Sequence, residues 1–478
     1  LYGFYAVIII NRDITCSFII CNYICIGGYR GKVIQQFQEF FCIRKAFIWR
    51  IAVRVHKSTP AFPALTCSAQ STYVTGLSPR EHAIPGNGWY NRNMCEIQFW
   101  KQSNKLVQGP RLWEKLRERY GSGFTCAKLF WWYNMYSTAD WTITPRPMYP
   151  ADGRKIFDIY TQPMELRETI KKDLGEFPFP TFWGPMAGIQ SSQWIADSAR
   201  WVERKHRPDL SLIYLPYLDY DLQKFGPSST QAAHAAKAMD GLLCDLIDFL
   251  EREGVTPVVL SEYGISDVSR SIALNRLFRE RGWITIKPEM GTEMLDCGAS
   301  RAFAVADHQT AHIYINDPSV KEEVKALLSA TPGVEEIRET DFSGLSSAAL
   351  ERLPEFTAVA APDAWFTYYY WLDDTKAPDF ARCVDIHRKP GYDPAEMFFD
   401  PGLTLPMFHA AAFLLKKKLG FRALMKVIPL NGDQVKGSHG RDRVPANQQP
   451  VFIGPAFLPE IHAAEDVHQA ILSVFEKE

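Results

Sequence analysis

The stretch that decides the fold is Ser211-Leu212-Ile213-Tyr214-Leu215, followed by residues 229–253 and then Thr256-Pro257-Val258-Val259-Leu260. The first run is too short and too rich in branched and aromatic residues for a helix, so it predicts a buried strand. From Ser229 onward, Ala236, Met239, Leu242, Leu243, Leu246, Phe249 and Leu250 recur at helical spacing. Ser and Thr residues stand ahead of them to cap the helix, and Gly254 follows to stop it. Residues 256–260 make a second short apolar run, so the unit reads strand, crossover helix, strand. That order implies a parallel sheet covered on both faces. Such sheets bind ligands beyond the carboxyl ends of their strands, which directs attention to Asp219 and Glu262, just past the two runs. Spacing alone leaves two readings open, converging ligands or ordinary loop carboxylates.

Downstream, residues 301–306 and 312–315 predict two strands flanking Asp307-His308, residues 321–328 a helix, and residues 334–337 and 356–361 further strands. Residues 408–419 predict a helix with a basic end, Lys416-Lys417-Lys418. The helix dipole favours cations there, so that run reads as a solvated terminus. The fold class expected is α/β, a central mostly parallel sheet with helices on both faces and a smaller inserted α/β lobe. Residues 59–290 and 400–478 would form the core and residues 291–399 the lobe.

The chain has 478 residues, 46% of them apolar, which is ample for a large core and excludes disorder. With 53 Lys+Arg against 54 Asp+Glu, nothing global attracts a nucleic-acid polymer or an anionic membrane. Any phosphate must be gripped locally. Ten cysteines without a C-x-x-C pair make no disulfide framework, and the cytoplasm or another reducing compartment is the simpler reading. Residues 1–58 are different, with eight Lys and Arg against only Asp13 and Glu39. Arg12 and Asp13 split their apolar runs into pieces shorter than the roughly 20 residues of a spanning helix, so no membrane span is expected. A first strand or an aberrant terminus is the preferred reading over a targeting segment.

Residues 61–87, Ala-Phe-Pro-Ala-Leu-Thr66 and onward through Thr75-Gly76-Leu77, Pro79, His82, Ile84 and Asn87, resemble the nucleophile segment of the nucleotide pyrophosphatase/phosphodiesterase family of the alkaline phosphatase superfamily. Asp219-x-x-x-Gln223-x-x-Gly226-Pro227 resembles its Asp-x-x-x-His-x-x-Gly-Pro metal loop, Ser261-Glu262-Tyr263-Gly264 its Ser-Asp-His-Gly loop, and Gly437-Ser438-His439-Gly440 its last metal histidine. The resemblance implies a Thr66 nucleophile, a phospho-threonine intermediate and a phosphate oxygen held by Asn87. It also implies two metal ions held by three Asp and three His. Of these, Asp219 and His439 are kept, Gln223 stands for a His, and Glu262-Tyr263 stand for an Asp-His pair. Gly27 occupies the place of the first-strand Asp.

An amide oxygen and a phenol are weak zinc ligands. The altered set therefore suits Mg²⁺ or Mn²⁺ beside Zn²⁺, as two divalent ions or as one bound by Asp219, Glu262 and His439. Asp221, Asp307, His308, Asp385 and His387 are further candidate ligands. Within residues 385–392, His387, Arg388 and Lys389 read either as phosphate contacts or as a polar loop. The aromatic runs at residues 130–136 and 365–371 read as core; one lining a pocket would favour a flat base or an isoprenoid-like chain. The function implied is metal-dependent hydrolysis of a small-molecule phosphodiester, pyrophosphate or nucleotide-like substrate. The alternatives are hydrolysis of another phosphate or sulfate ester, and a non-catalytic protein that only binds a phosphorylated ligand.

Overall fold

The computed structural model describes residues 53–152, 154–421 and 423–476, and the backbone of the strands Tyr2–Asn11 and Thr15–Ile24. Gly27, at the place of the missing carboxylate, lies outside the described residues.

The decisive unit folds as its pattern predicts. Leu210–Leu215 is a fully buried strand, Thr230–Arg252 a helix, and Val255–Leu260 a second strand. Ser229 caps the helix, its Oγ accepting from the Ala232 N–H at 3.0 Å, and Gly254 takes the positive φ of 82° that glycine tolerates. The two strands do not pair directly; Tyr2–Asn11 and Thr15–Ile24 lie between them, the first antiparallel and the second parallel to both. Leu212, Leu215, Val258 and Leu260 pack with Leu243, Leu246 and Leu250 of the helix in one large core.

These strands belong to a nine-stranded sheet in the order Val53–Lys57, Val451–Pro455, Val255–Leu260, Tyr2–Asn11, Thr15–Ile24, Leu210–Leu215, Cys126–Leu129, Trp141–Pro145, Ile159–Gln162. Cys126–Leu129 pairs parallel with both Leu210–Leu215 and Trp141–Pro145. Antiparallel strands complete both flanks, and Tyr2–Asn11 runs antiparallel in the middle. The sheet is the expected one of an α/β fold, with its parallel pairs around Thr15–Ile24 and Cys126–Leu129 and antiparallel pairs around Tyr2–Asn11 and at the flanks. The helices Ile189–His206 and Thr230–Arg252 cover it together, and Thr66–Thr75, Leu112–Tyr120 and Asp466–Val474 form a second covering group.

One local expectation changes. Residues after Leu215 do not form a strand-end loop but the helix Tyr217–Phe225. Asp219 and Gln223 are then four residues apart on one helical face, both buried.

A smaller antiparallel sheet runs Ala302–Asp307, Thr310–Ile315, Phe356–Ala360, Val334–Glu339, with the helix Lys321–Ala330 beside Val334–Glu339. Its first two strands are joined by His308 and Gln309 alone, with His308 at a φ of 60°. A non-glycine residue held there is uncommon. The run at residues 365–371 is core, as expected, with Trp365, Tyr368, Tyr370 and Trp371 fully buried.

Candidate active site

Thr66 opens the helix Thr66–Thr75, every residue of which is buried. Its hydroxyl shares a 2.9 Å hydrogen bond with the phenol of Tyr263 and also faces Tyr214 and Glu262. One turn along the same helix, Gln70 spans the site. Its Nε2 donates to Glu262 Oε1 at 2.7 Å, and its Oε1 accepts from the Trp132 N–H at 2.8 Å. Burial lifts Glu262 well above the ordinary carboxylate range, and the charge of Asp219 adds to the shift. Tyr263 is raised by burial and by the fields of Asp219 and Glu262, so its phenol stays protonated.

The loop carrying Glu262 and Tyr263 is fixed by a close passage. A Cβ on Gly264 would lie 2.0 Å from the Gln448 carbonyl oxygen, so only glycine fits. Gly437, in the loop before His439, is held likewise, 2.2 Å from the Leu222 carbonyl oxygen.

Asn87 is buried and aimed by the chain around it. Its Oδ1 accepts from the Cys67 N–H at 3.0 Å, its Nδ2 donates to Asp307 Oδ1 at 3.1 Å, and its own N–H donates to Asp307 Oδ2 at 3.0 Å. One amide hydrogen of Nδ2 remains for a ligand. Burial pushes Asp307 up to about 7, with His312 and Asn87 opposing.

His308 and His439 meet in the same space. Nδ1 of His308 donates to Asp307 Oδ1 at 2.8 Å, and Nδ1 of His439 donates to the Ala64 carbonyl at 2.8 Å. Burial drives both imidazoles well below their usual range, so they are neutral with a lone pair on Nε2. Their rings continue a column in which Tyr263 stacks on His439 at 3.6 Å, His439 lies 3.7 Å from His308, and His308 stacks on Tyr392 at 3.7 Å. The Tyr392 hydroxyl donates to Gln223 Oε1 at 2.8 Å. Beyond Tyr392 stand Trp183 at 5.7 Å and Trp100 at 6.1 Å, with Trp132 4.7 Å from Trp100.

The structure thus brings together Thr66, Asn87, Asp219, Gln223, Glu262, Tyr263 and His439. It gives the proposed phosphate contacts other work. Lys389 is buried between Asp393 at 2.7 Å and Glu396 at 2.8 Å, and the half-exposed Arg388 pairs with Asp379. His387 is exposed on the same loop. Sequence reasoning missed Gln70, Tyr214 and Tyr392 as parts of the site. Only Gln70 carried a local signal, its four-residue spacing from Thr66 on a helix.

Among the described residues, no three His, Cys, Asp or Glu side chains are gathered to hold a metal ion. Among the described residues the side chains do not make a two-ion centre, since Gln223 is engaged by Tyr392 and Tyr263 stacks against His439. The donor chemistry still suits one hard cation. Asp219 and Glu262 are buried within each other's field, and buried like charges call for a compensating cation or a proton.

The sequence pattern of the type I phosphodiesterase/nucleotide pyrophosphatase family matches residues 24–393, and the chain belongs to that family. An uncharacterized pyrophosphatase/phosphodiesterase of Schizosaccharomyces pombe is 26% identical over 229 residues, 46% of this chain and 40% of that protein. The chain thus spans about two fifths of the length of this curated relative. Phosphonoacetate hydrolase of Sinorhizobium meliloti, solved with phosphonoformate, superposes with a TM-score of 0.54 at 15% identity, covering 94% of each chain. For murine ectonucleotide pyrophosphatase/phosphodiesterase 5 the score is 0.49 at 14% identity, over 88% of this chain and 86% of that one. The chain shares its fold with that phosphonoacetate hydrolase.

Proposed function

We propose that this protein hydrolyses a small-molecule phosphodiester or pyrophosphate, with Thr66 as the nucleophile. The observation that carries the reading is the position of the Thr66 hydroxyl. It sits at the first turn of a ten-residue helix, beside the Glu262 carboxyl and the Tyr263 phenol. A helix start favours an anion through its free N–H groups and its dipole.

In the first step the Thr66 oxygen attacks phosphorus and its proton passes to the Glu262 carboxylate, which burial makes a better proton acceptor. The bond from phosphorus to the leaving group breaks, and the leaving oxygen departs with the electron pair. The free Nδ2 hydrogen of Asn87 donates to a non-bridging oxygen. Water then attacks the phospho-threonine, the bond from phosphorus to the Thr66 oxygen breaks, that oxygen takes back the proton held by Glu262, and the phosphoryl product leaves with the oxygen of the water, whose proton goes to solvent. A divalent cation, Zn²⁺, Mn²⁺ or Mg²⁺, taken up beside Asp219 and His439 would supply Lewis-acid stabilisation of the phosphoryl oxygens and leave Glu262 to the proton. Trp100, Trp183 and Tyr392 favour a leaving group with a planar or apolar part.

The test is hydrolysis of bis(p-nitrophenyl) phosphate by wild type and Thr66→Ala, with and without added Mn²⁺, Mg²⁺ or Zn²⁺. Turnover lost by roughly a thousandfold in the variant supports the reading. No turnover by the wild type under any condition leaves a phospho-ligand binder in its place.

A further inference from the structure

We propose that the helix Pro406–Lys418 and the turn that follows it dock on an anionic lipid bilayer, lying in its interface. Every described side chain from residue 401 to residue 426 is exposed or half-exposed, in contrast to Thr230–Arg252, which buries an apolar stripe against the core. The exposed side chains are bulky and apolar: Leu405 at 72%, Phe408 at 69%, Leu419 at 65% and Phe421 at 64%, with Met407, Leu415 and Leu424 beside them. Phe408, Ala411 and Leu415 follow i, i+3, i+7 spacing and so share one helical face. A concentration of exposed bulky apolar side chains of this kind marks an interaction site.

The excursion is closed at its base, where Leu403 and Met425 pack against the cluster of Ala395, Val427 and Ile428. The Asp400 N–H donates to the Val427 carbonyl, and the N–H groups of Val427 and Ile428 donate to the Arg382 carbonyl. Val427 and Ile428 return to the interior, so residues 401–426 form one projecting unit.

Charge decides what covers it. Residues 401–432 contain no Asp or Glu, but they carry Lys416, Lys417, Lys418, Arg422 and Lys426, of which Lys416, Lys418 and Lys426 are exposed. The whole chain balances to -1, so this basic cluster is local. A second copy of the same surface would bring like charges together. An anionic headgroup layer attracts them while its acyl boundary takes Phe408, Leu415 and Phe421. Lysine stems reach along apolar surface and keep their ammonium groups at the headgroups. At about 20 Å the helix is shorter than the roughly 30 Å hydrocarbon core, so it lies on the bilayer and does not span it.

The experiment is flotation of the whole chain with extruded vesicles of phosphatidylcholine alone and with about 30% phosphatidylserine. The expected partition is at least about tenfold higher on the anionic vesicles and falls as salt rises. Phe408→Ser with Leu415→Ser should lower it about tenfold, and Lys416→Glu with Lys418→Glu should remove the preference for anionic lipid. A chain in which a Gly-Ser linker replaces residues 401–426, with its melting curve checked, should not float. Equal binding by wild type and variants overturns the proposal. So does concentration-dependent dimerisation that Phe408→Ser with Leu415→Ser abolishes while no form floats, because the occupant is then a second copy.

Discussion

The hydroxyl of Thr66 and the phenol of Tyr263 share a hydrogen bond of 2.9 Å in the protein interior, and the same Tyr263 ring stacks on His439 at 3.6 Å. The residue that stands where the family pattern carries a metal histidine thus holds the Thr66 hydroxyl by one end and the retained histidine by its face. Tyr263→Phe keeps the ring and removes the hydroxyl. We expect kcat to fall about tenfold at nearly constant KM, since one neutral hydrogen bond that orients the nucleophile is lost. Steady-state kinetics of the folded variant would check this, and an unchanged kcat would remove Tyr263 from the positioning role.

The altered donors predict a lean metal centre. Elemental analysis of the purified protein should find at most one divalent ion per chain, and chelation should remove turnover that Mn²⁺ or Zn²⁺ then restores. Asp219→Asn and His439→Ala should each abolish that ion. Two tightly held ions per chain would show that side chains beyond Asp219, Glu262 and His439 complete the centre.

The strand, helix, strand unit is legible because periodicity is local: Leu242, Leu246 and Phe249 announce their helix within one turn of one another. The helix at Tyr217–Phe225 is short and opens on Tyr-Leu-Asp, and the family likeness of residues 219–227 favoured a loop over the i, i+4 apolar pair Leu218 and Leu222. Gln70 was legible in principle, since four residues on a helix put it on the face of Thr66. His308 was not. It reaches His439 across 131 residues of chain from another sheet, and no spacing in the sequence carries that distance. Lys389 misled for a simpler reason. A lysine beside an arginine suggests phosphate, yet its carboxylate partners Asp393 and Glu396 stand four and seven residues further on.

Gln70 predicts a stability effect as well as a catalytic one. Gln70→Ala would strip Glu262 Oε1 and the Trp132 N–H of buried partners. Each orphaned group costs about 1–3 kcal/mol, so the variant should lose about 2–5 kcal/mol in urea or thermal unfolding. A loss below 1 kcal/mol would mean that water replaces the amide.

Lys389 is held by two carboxylates, all three side chains being almost fully buried. Glu396 also accepts from the Trp183 indole at 2.6 Å, so the cluster braces the loop that carries Tyr392. Lys389→Met would leave two carboxylates buried without their cation, at a cost of about 3–5 kcal/mol. If the brace matters for the site, adding Asp393→Asn and Glu396→Gln should recover much of that stability, and the triple variant should keep the Tyr392 hydroxyl on Gln223. Chemical denaturation of the single and triple variants would decide it.

Glu203, far from the site on the helix Ile189–His206, gives a pH prediction with a definite sign. Burial raises its carboxyl from 4.5 to about 7, Arg207 opposing and Glu253 adding to the shift, and its Oε1 has no hydrogen-bond partner. A raised carboxyl binds its proton more tightly in the folded chain than in the unfolded one. Between pH 4.5 and 7 the folded state therefore holds the extra proton, and stability falls as pH rises through that window. The full loss, reached above pH 7, is about 3 kcal/mol. Glu203→Gln keeps the neutral shape and cannot ionise. Its melting temperature should match the wild type near pH 4 and exceed it at pH 8, by several degrees for a chain of this length. Parallel melting curves of the two proteins across that range would show the gap opening from about pH 5, and equal curves would place Glu203 in contact with solvent.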